Sequence, residues 1–285
     1  MTPAQAFHEQ QRVRWNGTDG EHWTRWQHRL DHTLAPVNRP LLAFAAPDPG
    51  STVIDVGCGC GATTVEFARA VGPSGRVIGI DFSEPMIGRA NQRLREFANT
   101  TCLLGDAAEL PLQHVRAELI VSRFGVMFFG DPVAAFANLR AGLVPGGRVR
   151  FACWRSIHEN AWLQIPLQAV YEHAPRLPKP SPEEPGPFAF ADPARVARVL
   201  TAAGFTTPSF TALDVLLDLA AGGTIDDAVI QSSETGPARR ALTDQPEDIR
   251  AAAIESIRRA LTPYASPTGV TLPGAVWLVA ADRSD

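Results

Sequence analysis

The stretch Thr52-Val53-Ile54-Asp55-Val56-Gly57-Cys58-Gly59-Cys60-Gly61-Ala62 decides the fold. Residues 52–57 are a short apolar run that reads as a buried strand. Glycines then occupy alternate positions, and Ala62 to Val71 reads as a helix with Val65, Phe67, Ala68 and Val71 as its apolar residues. The unit recurs downstream. Arg76 to Asp81 is a second strand, and Pro85 to Phe97 a second helix with Ser83 as N-cap and Pro85 near its first turn. Thr101 to Leu104, Ala117 to Ser122 and Arg148 to Trp154 are further strand-like runs, and Pro132 to Leu143 is a helix stopped by Pro145-Gly146-Gly147. Strands alternating with helices at this spacing build parallel βαβ units with right-handed crossovers, hence an α/β fold with an open, doubly wound sheet. Ligands of such sheets lie beyond the carboxyl ends of the strands. The glycine loop, Asp81, Asp106 and Ser122 all fall at those ends.

Around this core, residues 46–155, the pattern changes. Residues 1–45 read as an N-terminal helical cap segment. Residues 156–193 read as a lid or substrate-cap insertion: Leu163 to His173 is helical, and Pro175, Pro178, Pro180, Pro182, Pro185, Pro187 and Pro193 make the rest stiff. Residues 194–285 return to the sheet through a helix from Ala194 to Ala203, stopped by Gly204, and an extended run from Ser209 to Leu217. A helical insertion, 219–266, carries two helices, Thr224 to Ser232 and Pro246 to Leu261, before a last strand from Val270 to Ala281.

With 285 residues, 45% hydrophobic and 20% charged, the chain can bury a large core. A net charge of −4 and the lack of any run of Lys and Arg leave no footprint for a polyanion, so no nucleic-acid partner is expected. Met1 to Arg14 lacks the apolar centre of a signal peptide, and no stretch reaches the roughly eighteen apolar residues of a membrane span. Cys58, Cys60, Cys102 and Cys153 are too few and scattered for a disulfide scaffold, which points to the reducing cytoplasm. The Cys58-x-Cys60 spacing is one residue short of a metal-binding pair and no Cys/His pair follows at finger distance, so no metal is expected.

Two cofactor classes use a loop like this one. Gly57-x-Gly59-x-x-Ala62, with Asp81 about 20 residues on, satisfies the dinucleotide fingerprint. Asp55 separates the two. A dinucleotide lays an anionic pyrophosphate over the glycine turn, where a carboxylate two residues upstream repels it. S-adenosylmethionine (SAM) presents a sulfonium and an ammonium to the same turn, and both are attracted. The glycines let backbone approach the ligand closely, Asp81 can accept both ribose hydroxyls, and Asp106 can accept from the adenine amine.

Val53 to Gly61, Asp81-Phe82-Ser83-Glu84-Pro85-Met86, Gly105-Asp106-Ala107, Ser122-Arg123-Phe124-Gly125-Val126-Met127-Phe128-Phe129 and Leu143-Val144-Pro145-Gly146-Gly147 together resemble the ordered motifs of class I SAM-dependent methyltransferases. The resemblance is to the branch similar to menaquinone/ubiquinone C-methyltransferases and bacterial small-molecule methyltransferases. It covers about residues 50–155, and more loosely Trp15-Asn16-Gly17 and Trp23. It implies a Rossmann-like seven-stranded sheet with a helical N-terminal segment and cap or lid insertions. Methyl transfer from SAM to a small organic acceptor follows, at O, N or C, in secondary metabolism or quinone-like biosynthesis, with S-adenosylhomocysteine (SAH) as product. By the same resemblance Asp55, Gly57 and Gly59 hold the methionine part, Asp81 the ribose, Phe82 and Met86 the adenosine flank, Asp106 and Ala107 the adenine, and Ser122 and Phe124 the wall beside the sulfonium. Cys60 departs from the family, which often carries a smaller or different residue there.

The donor methyl is already activated, so alignment and desolvation carry much of the catalysis, and a base is needed only where the nucleophile holds a proton. His158, just past the fifth strand, is the first candidate base, ahead of His22, Tyr171 and His173. Trp15, Trp23, Trp154 and Tyr171 are candidates for the acceptor pocket, with Trp26 and Trp162 nearby. The tryptophans either form an aromatic pocket or staple the cap to the body. Arg123 faces either an acidic acceptor group or Asp131. The rivals are an NAD-dependent oxidoreductase, disfavoured by Asp55 and by the lack of a Tyr-x-x-x-Lys pair, and a non-catalytic SAM-binding regulatory protein. Partner expectations are a small-molecule acceptor, no nucleic acid and no membrane span, with a homodimer left open.

Overall fold

The computed structural model describes residues 3–179, 181 and 184–284; Pro180 and Pro182 of the proline-dense stretch lie outside them. Three helices lead, α1 (Pro3–Asn16), α2 (Thr18–Arg25) and α3 (Gln27–Ala45). The wound unit follows as β1 (Thr52–Val56), α4 (Ala62–Val71), β2 (Arg76–Asp81), α5 (Glu84–Arg93), β3 (Thr100–Leu104), β4 (Ala117–Arg123), α6 (Pro132–Ala141) and β5 (Leu143–Trp154). Beyond it come α7 (Ala161–Val170), α8 (Pro193–Ala202), β6 (Ser209–Asp218), α9 (Ile225–Glu234), α10 (Gly236–Leu242), α11 (Glu247–Leu261), the two-residue β7 (Ala265–Ser266) and β8 (Gly269–Asp282).

The sheet runs β3-β2-β1-β4-β5-β8-β6, with β7 paired to β8 off that path. This is the seven-stranded α/β architecture expected, with one strand reversed. β1 to β5 are mutually parallel, whereas β8 runs antiparallel between β5 and β6. The central strands are apolar on both faces because helices cover both, and Val53, Ile54, Val77, Ile80, Leu119 and Ile120 are fully buried. β3, at the edge, leaves Leu103 and Leu104 exposed. The order places the change of winding direction between β1 and β4, so a crevice opens over their carboxyl ends.

One apolar cluster joins body and cap. It runs from Leu34 and Leu41 of α3 through Ile54, Ile120 and Phe136 to Leu163, Val229 and Ile257 of the later helices. Asp19 of α2 pairs with Arg14 at 2.6 Å and with Arg239 of α10 at 2.8 Å, which fastens the N-terminal segment to the cap. The segment before α8 also packs down: Gly186 N donates to the Met127 carbonyl at 3.0 Å, and Phe190 is buried beside Phe136 and Phe151.

Several boundaries differ from the periodicity. Leu94, Phe97 and Thr100 close successive turns, so α5 stops at Arg93 rather than Phe97. Ser83 sits at the N-cap of α5, but its hydroxyl donates to the Trp15 carbonyl at 2.6 Å and caps nothing. β5 starts at Leu143, not Arg148: Pro145-Gly146-Gly147 lies inside the strand, with Gly146 at φ +72° and the register shifting between Ala117 and Leu119. The insertion after β6 holds three helices, because Gly236 at φ +63° splits the segment into α9 and α10.

Phe136 is fully buried, with ring centroids of Phe129, Phe151, Phe190 and Phe205 between 5.8 and 6.3 Å away. Phe136→Ala is expected to cost about 3–5 kcal/mol, read from urea unfolding midpoints. A loss under about 1 kcal/mol would contradict this packing.

Candidate active site

The loop between β1 and α4 is shaped by its own backbone. Gly57 N and Cys58 N both donate to the Ile80 carbonyl of β2, at 2.8 and 3.1 Å, and Gly61 N donates to the Cys58 carbonyl at 2.9 Å. Gly57 and Gly59 take positive φ, +66° and +56°. A Cβ on Gly57 would lie 2.6 Å from Gly125 Cα, and one on Gly59 would lie 2.9 Å from Met86 Cε. Gly57 needs glycine for space as well as for φ, because backbone stands where its Cβ would go; Gly59 faces only the flexible end of Met86 and needs glycine for its φ.

Asp81 closes the loop from β2. Its Oδ2 accepts from Gly59 N and its Oδ1 from Ser83 N, each at 2.9 Å. The carboxylate is thereby fixed in orientation while keeping lone pairs for a diol. Desolvation raises its pKa, against the backbone donors that lower it. Asp106 Oδ1 accepts from Ala108 N at 2.8 Å, so the Asp106–Ala107 turn is held by its own side chain.

Asp55 does not line the cavity. It is fully buried beneath the loop: Oδ2 accepts from Thr64 of α4 at 2.7 Å, and Oδ1 has no hydrogen-bond partner among the described residues. Burial pushes its pKa up to about 6, with Thr64 and Arg123 pulling the other way. Its charge therefore acts through the glycine turn rather than by contact. Cys60 does line the cavity, as a neutral thiol whose pKa burial pushes up to about 12.

A single cavity of about 430 Å³ runs from this loop to an aromatic wall. It brings together Gly57, Gly59, Asp81, Phe82, Met86, Asp106, Ala107 and Phe124 with Trp15, Trp23, Arg123 and Trp154. Phe124 holds φ +67°, rare outside glycine, and its ring stacks on Trp154 with centroids 3.9 Å apart and planes 7° from parallel. Ser122 is buried and off the cavity. Its Oγ accepts from Gly125 N and Val126 N at 3.1 and 3.3 Å, holding the turn that aims Phe124. Trp15 lines the cavity and also fastens the N-terminal segment to the body. It packs edge-on against Trp23 and Phe128 in the wall, and its carbonyl, with Asn16, docks α1 onto Phe82, Ser83 and Glu84.

Other expectations fall outside. His158 is exposed on a helical turn after β5, bonded to Gln164 at 3.2 Å, because the chain leaves the sheet there and points it away from the crevice. Tyr171 sits at the end of α7 with its hydroxyl accepting from Leu177 N and Arg176 over its ring, so it belongs to the cap rather than the pocket. His173 bonds Ser256 and His22 lies beside Glu234, both off the cavity. Arg123 does not pair with Asp131, which caps α6 through Ala134 N; it donates to Asn38 of α3. Among the described residues no group of three His, Cys, Asp or Glu side chains could hold a metal. Among the described residues no helix is long and apolar enough to cross a membrane. Residues that sequence reading missed include Leu30, Asp31 and Leu34 of α3 and the Thr235–Pro237 turn of the cap; the i,i+4 spacing of Leu30 and Leu34 was the only signal for the former.

Residues 53–147 match the family described as methyltransferase domain. The chain is 37% identical over 98 residues to a demethylmenaquinone methyltransferase of Staphylococcus carnosus, an alignment covering 34% of this chain and 41% of that protein. The chain thus spans about two fifths of the length of that curated relative. Among solved structures it is similar to the YcgJ protein of Bacillus subtilis, with a TM-score of 0.56, 12% identity and coverage of 87% of this chain and 97% of that one. It also resembles the [4+2]-cyclase SpnF, with a TM-score of 0.51, 16% identity and coverage of 87% and 81%. Strand order, glycine loop and family match agree: residues 53–147 match a methyltransferase domain, and the chain carries the Rossmann-like α/β fold of these solved structures.

Proposed function

We propose that this chain is a methyltransferase that moves the methyl group of SAM onto a small, apolar, aromatic acceptor. The observation that carries the reading is the continuity of the cavity, with a nucleoside-sized cradle at one end and an aromatic wall at the other. SAM fits the donor end: Gly57 leaves room where a Cβ would clash with backbone, Gly59 takes the φ that a side chain disfavours, Asp81 is preset for a diol, and the buried Asp55 favours a cation over the turn and disfavours a pyrophosphate. An oxidoreductase reading is thereby set aside.

When bound, SAM supplies an activated methyl group on a sulfonium. The chain's own contribution is position and dryness. The glycine loop and Asp81 fix the donor, Phe124 on Trp154 forms a rigid partition, and Trp15, Trp23, Phe128 and Trp162 exclude water from the acceptor end. No His, Lys or Tyr lines the cavity among the described residues. The candidate bases in its lining are carboxylates, among them Asp31, Glu109 and Asp131, and these suit an acceptor that ionises readily or attacks through carbon, such as a hydroxylated ring. The named relative, a demethylmenaquinone methyltransferase, is consistent with that class.

SAM or SAH at a hundredfold excess over its Kd should stabilise the protein by about 2.7 kcal/mol, seen as a higher Tm, while NADH at equal excess leaves Tm unchanged. Asp81→Ala should remove the SAM effect; a shift with NADH alone would defeat the reading.

Labelled methyl from SAM should appear on phenolic or quinol-like rings in a panel that also holds polar amines and aliphatic acids. Transfer only to the polar members would refute the aromatic acceptor.

The raised pKa of Asp55 adds a pH signature. Below about 6 the group is protonated, and above it the carboxylate is present to attract a cationic donor. SAM affinity measured calorimetrically should rise from pH 5 to 7 and then level, and Asp55→Asn should flatten the profile.

A further inference from the structure

Arg123 is the last residue of β4, on the sheet face shared with Asp55 and Val121 and covered by α3 and α4. It is the one cation among the described residues that line the cavity. Its guanidinium makes one hydrogen bond among the described residues, from Nη1 to Asn38 Oδ1 at 2.5 Å, and enters none of their ion pairs. A partly buried guanidinium held only by a neutral amide has donors to spare for an anion.

The neighbouring charges say which end of the cavity it serves. Arg123 lies within electrostatic reach of Asp31 and Asp55, of the like-charged Arg93, and of Cys60 in the glycine loop. Asp31 is already engaged, accepting from Arg93 at 2.6 Å and from Gln27 at 2.5 Å. Asp55 is partnered by Thr64 on one oxygen. The loop end thus holds a buried carboxylate below the turn and a guanidinium with unused donors beside it. That pair of opposite charges complements a zwitterionic α-amino-acid head, whose ammonium and carboxylate are joined to one carbon. The aromatic wall offers no second cation to compete for the carboxylate.

We propose that Arg123 anchors the α-carboxylate of the methyl donor, making it a specificity-determining residue that selects donors with an intact amino-acid head. The proposal rests on SAM being the ligand of this cavity. Arg123 reaches across from β4 to close the donor site against α3, with Asn38 holding the guanidinium plane in place.

The test compares two nucleosides by calorimetry: SAH, which carries the amino-acid head, and 5′-methylthioadenosine, which lacks it. In Arg123→Gln, affinity for SAH should fall roughly ten- to hundredfold, while affinity for methylthioadenosine stays within about twofold of wild type, which also shows the variant to be folded. Arg123→Lys should recover part of the loss. Unchanged SAH affinity in Arg123→Gln would overturn the proposal and assign the guanidinium to an anionic acceptor. Equal loss of both nucleosides would overturn it in favour of a structural role. Failure of the wild type to bind either nucleoside would overturn the SAM reading itself, and this proposal with it.

Discussion

The site depends on a backbone-to-backbone contact, Gly57 after β1 against Gly125 after β4. A Cβ on either glycine would lie within 2.7 Å of the other's Cα. The two turns therefore touch with no side chain between them, across the point where the winding of the sheet changes direction. This contact sets the floor of the crevice. It also couples the two halves of the cavity, because the turn containing Gly125 is the one Ser122 braces and from which Phe124 projects onto Trp154. A methyl group at either glycine would move the donor loop and the aromatic partition together.

Charge is distributed to match. Among the described residues, the carboxylates of Asp31, Asp81, Asp106, Glu109 and Asp131 line the cavity against the single guanidinium of Arg123. Beneath them Asp55 is buried with one oxygen unpartnered among the described residues, an arrangement that costs stability in the empty protein and is tolerated where it serves a ligand. The first turn of α4 limits that cost, since Thr64 donates to Asp55 and the helix N-terminus favours an anion nearby. A field of this sign attracts a sulfonium and an ammonium, and repels phosphate from the same turn.

Sequence reading reached what local physics determines. The strand, glycine turn and helix at 52–71, and the carboxylates Asp81 and Asp106 at strand ends, follow from period and turn chemistry, and the structure sets the latter two beside the loop. Asp55 was legible as a charge but not as a buried one, because a strand's end can present its side chain to the ligand or to the helix beneath. His158 and Tyr171 lie close in sequence to the site but outside the cavity lining, since nothing local reports the direction in which a chain leaves a sheet. The register of β5 through Pro145-Gly146-Gly147 was hidden for a related reason: a bulge set by the neighbouring strand overrode the breaker signal.

The division between donor and acceptor ends also runs along the chain. The glycine loop, Asp81, Asp106 and Phe124 all come from residues 53–147, the window that matches the methyltransferase family. Of the acceptor end, Phe128 lies inside that window, whereas Trp15, Trp23, Trp154, Trp162 and the Thr235–Pro237 turn come from outside it. The donor end is built on strand termini whose geometry the sheet dictates, so it constrains sequence tightly. The acceptor end is built from Trp154 at the end of β5 and from helices that need only an apolar face to dock on the shared core, so most of its lining can change while the fold persists. That asymmetry accounts for relatives that align over about a third of this chain while the fold extends over most of it. Arg123 stands on the donor side of that boundary, inside the window and next to the partition, which is where a residue that reads the donor's charged head has to be.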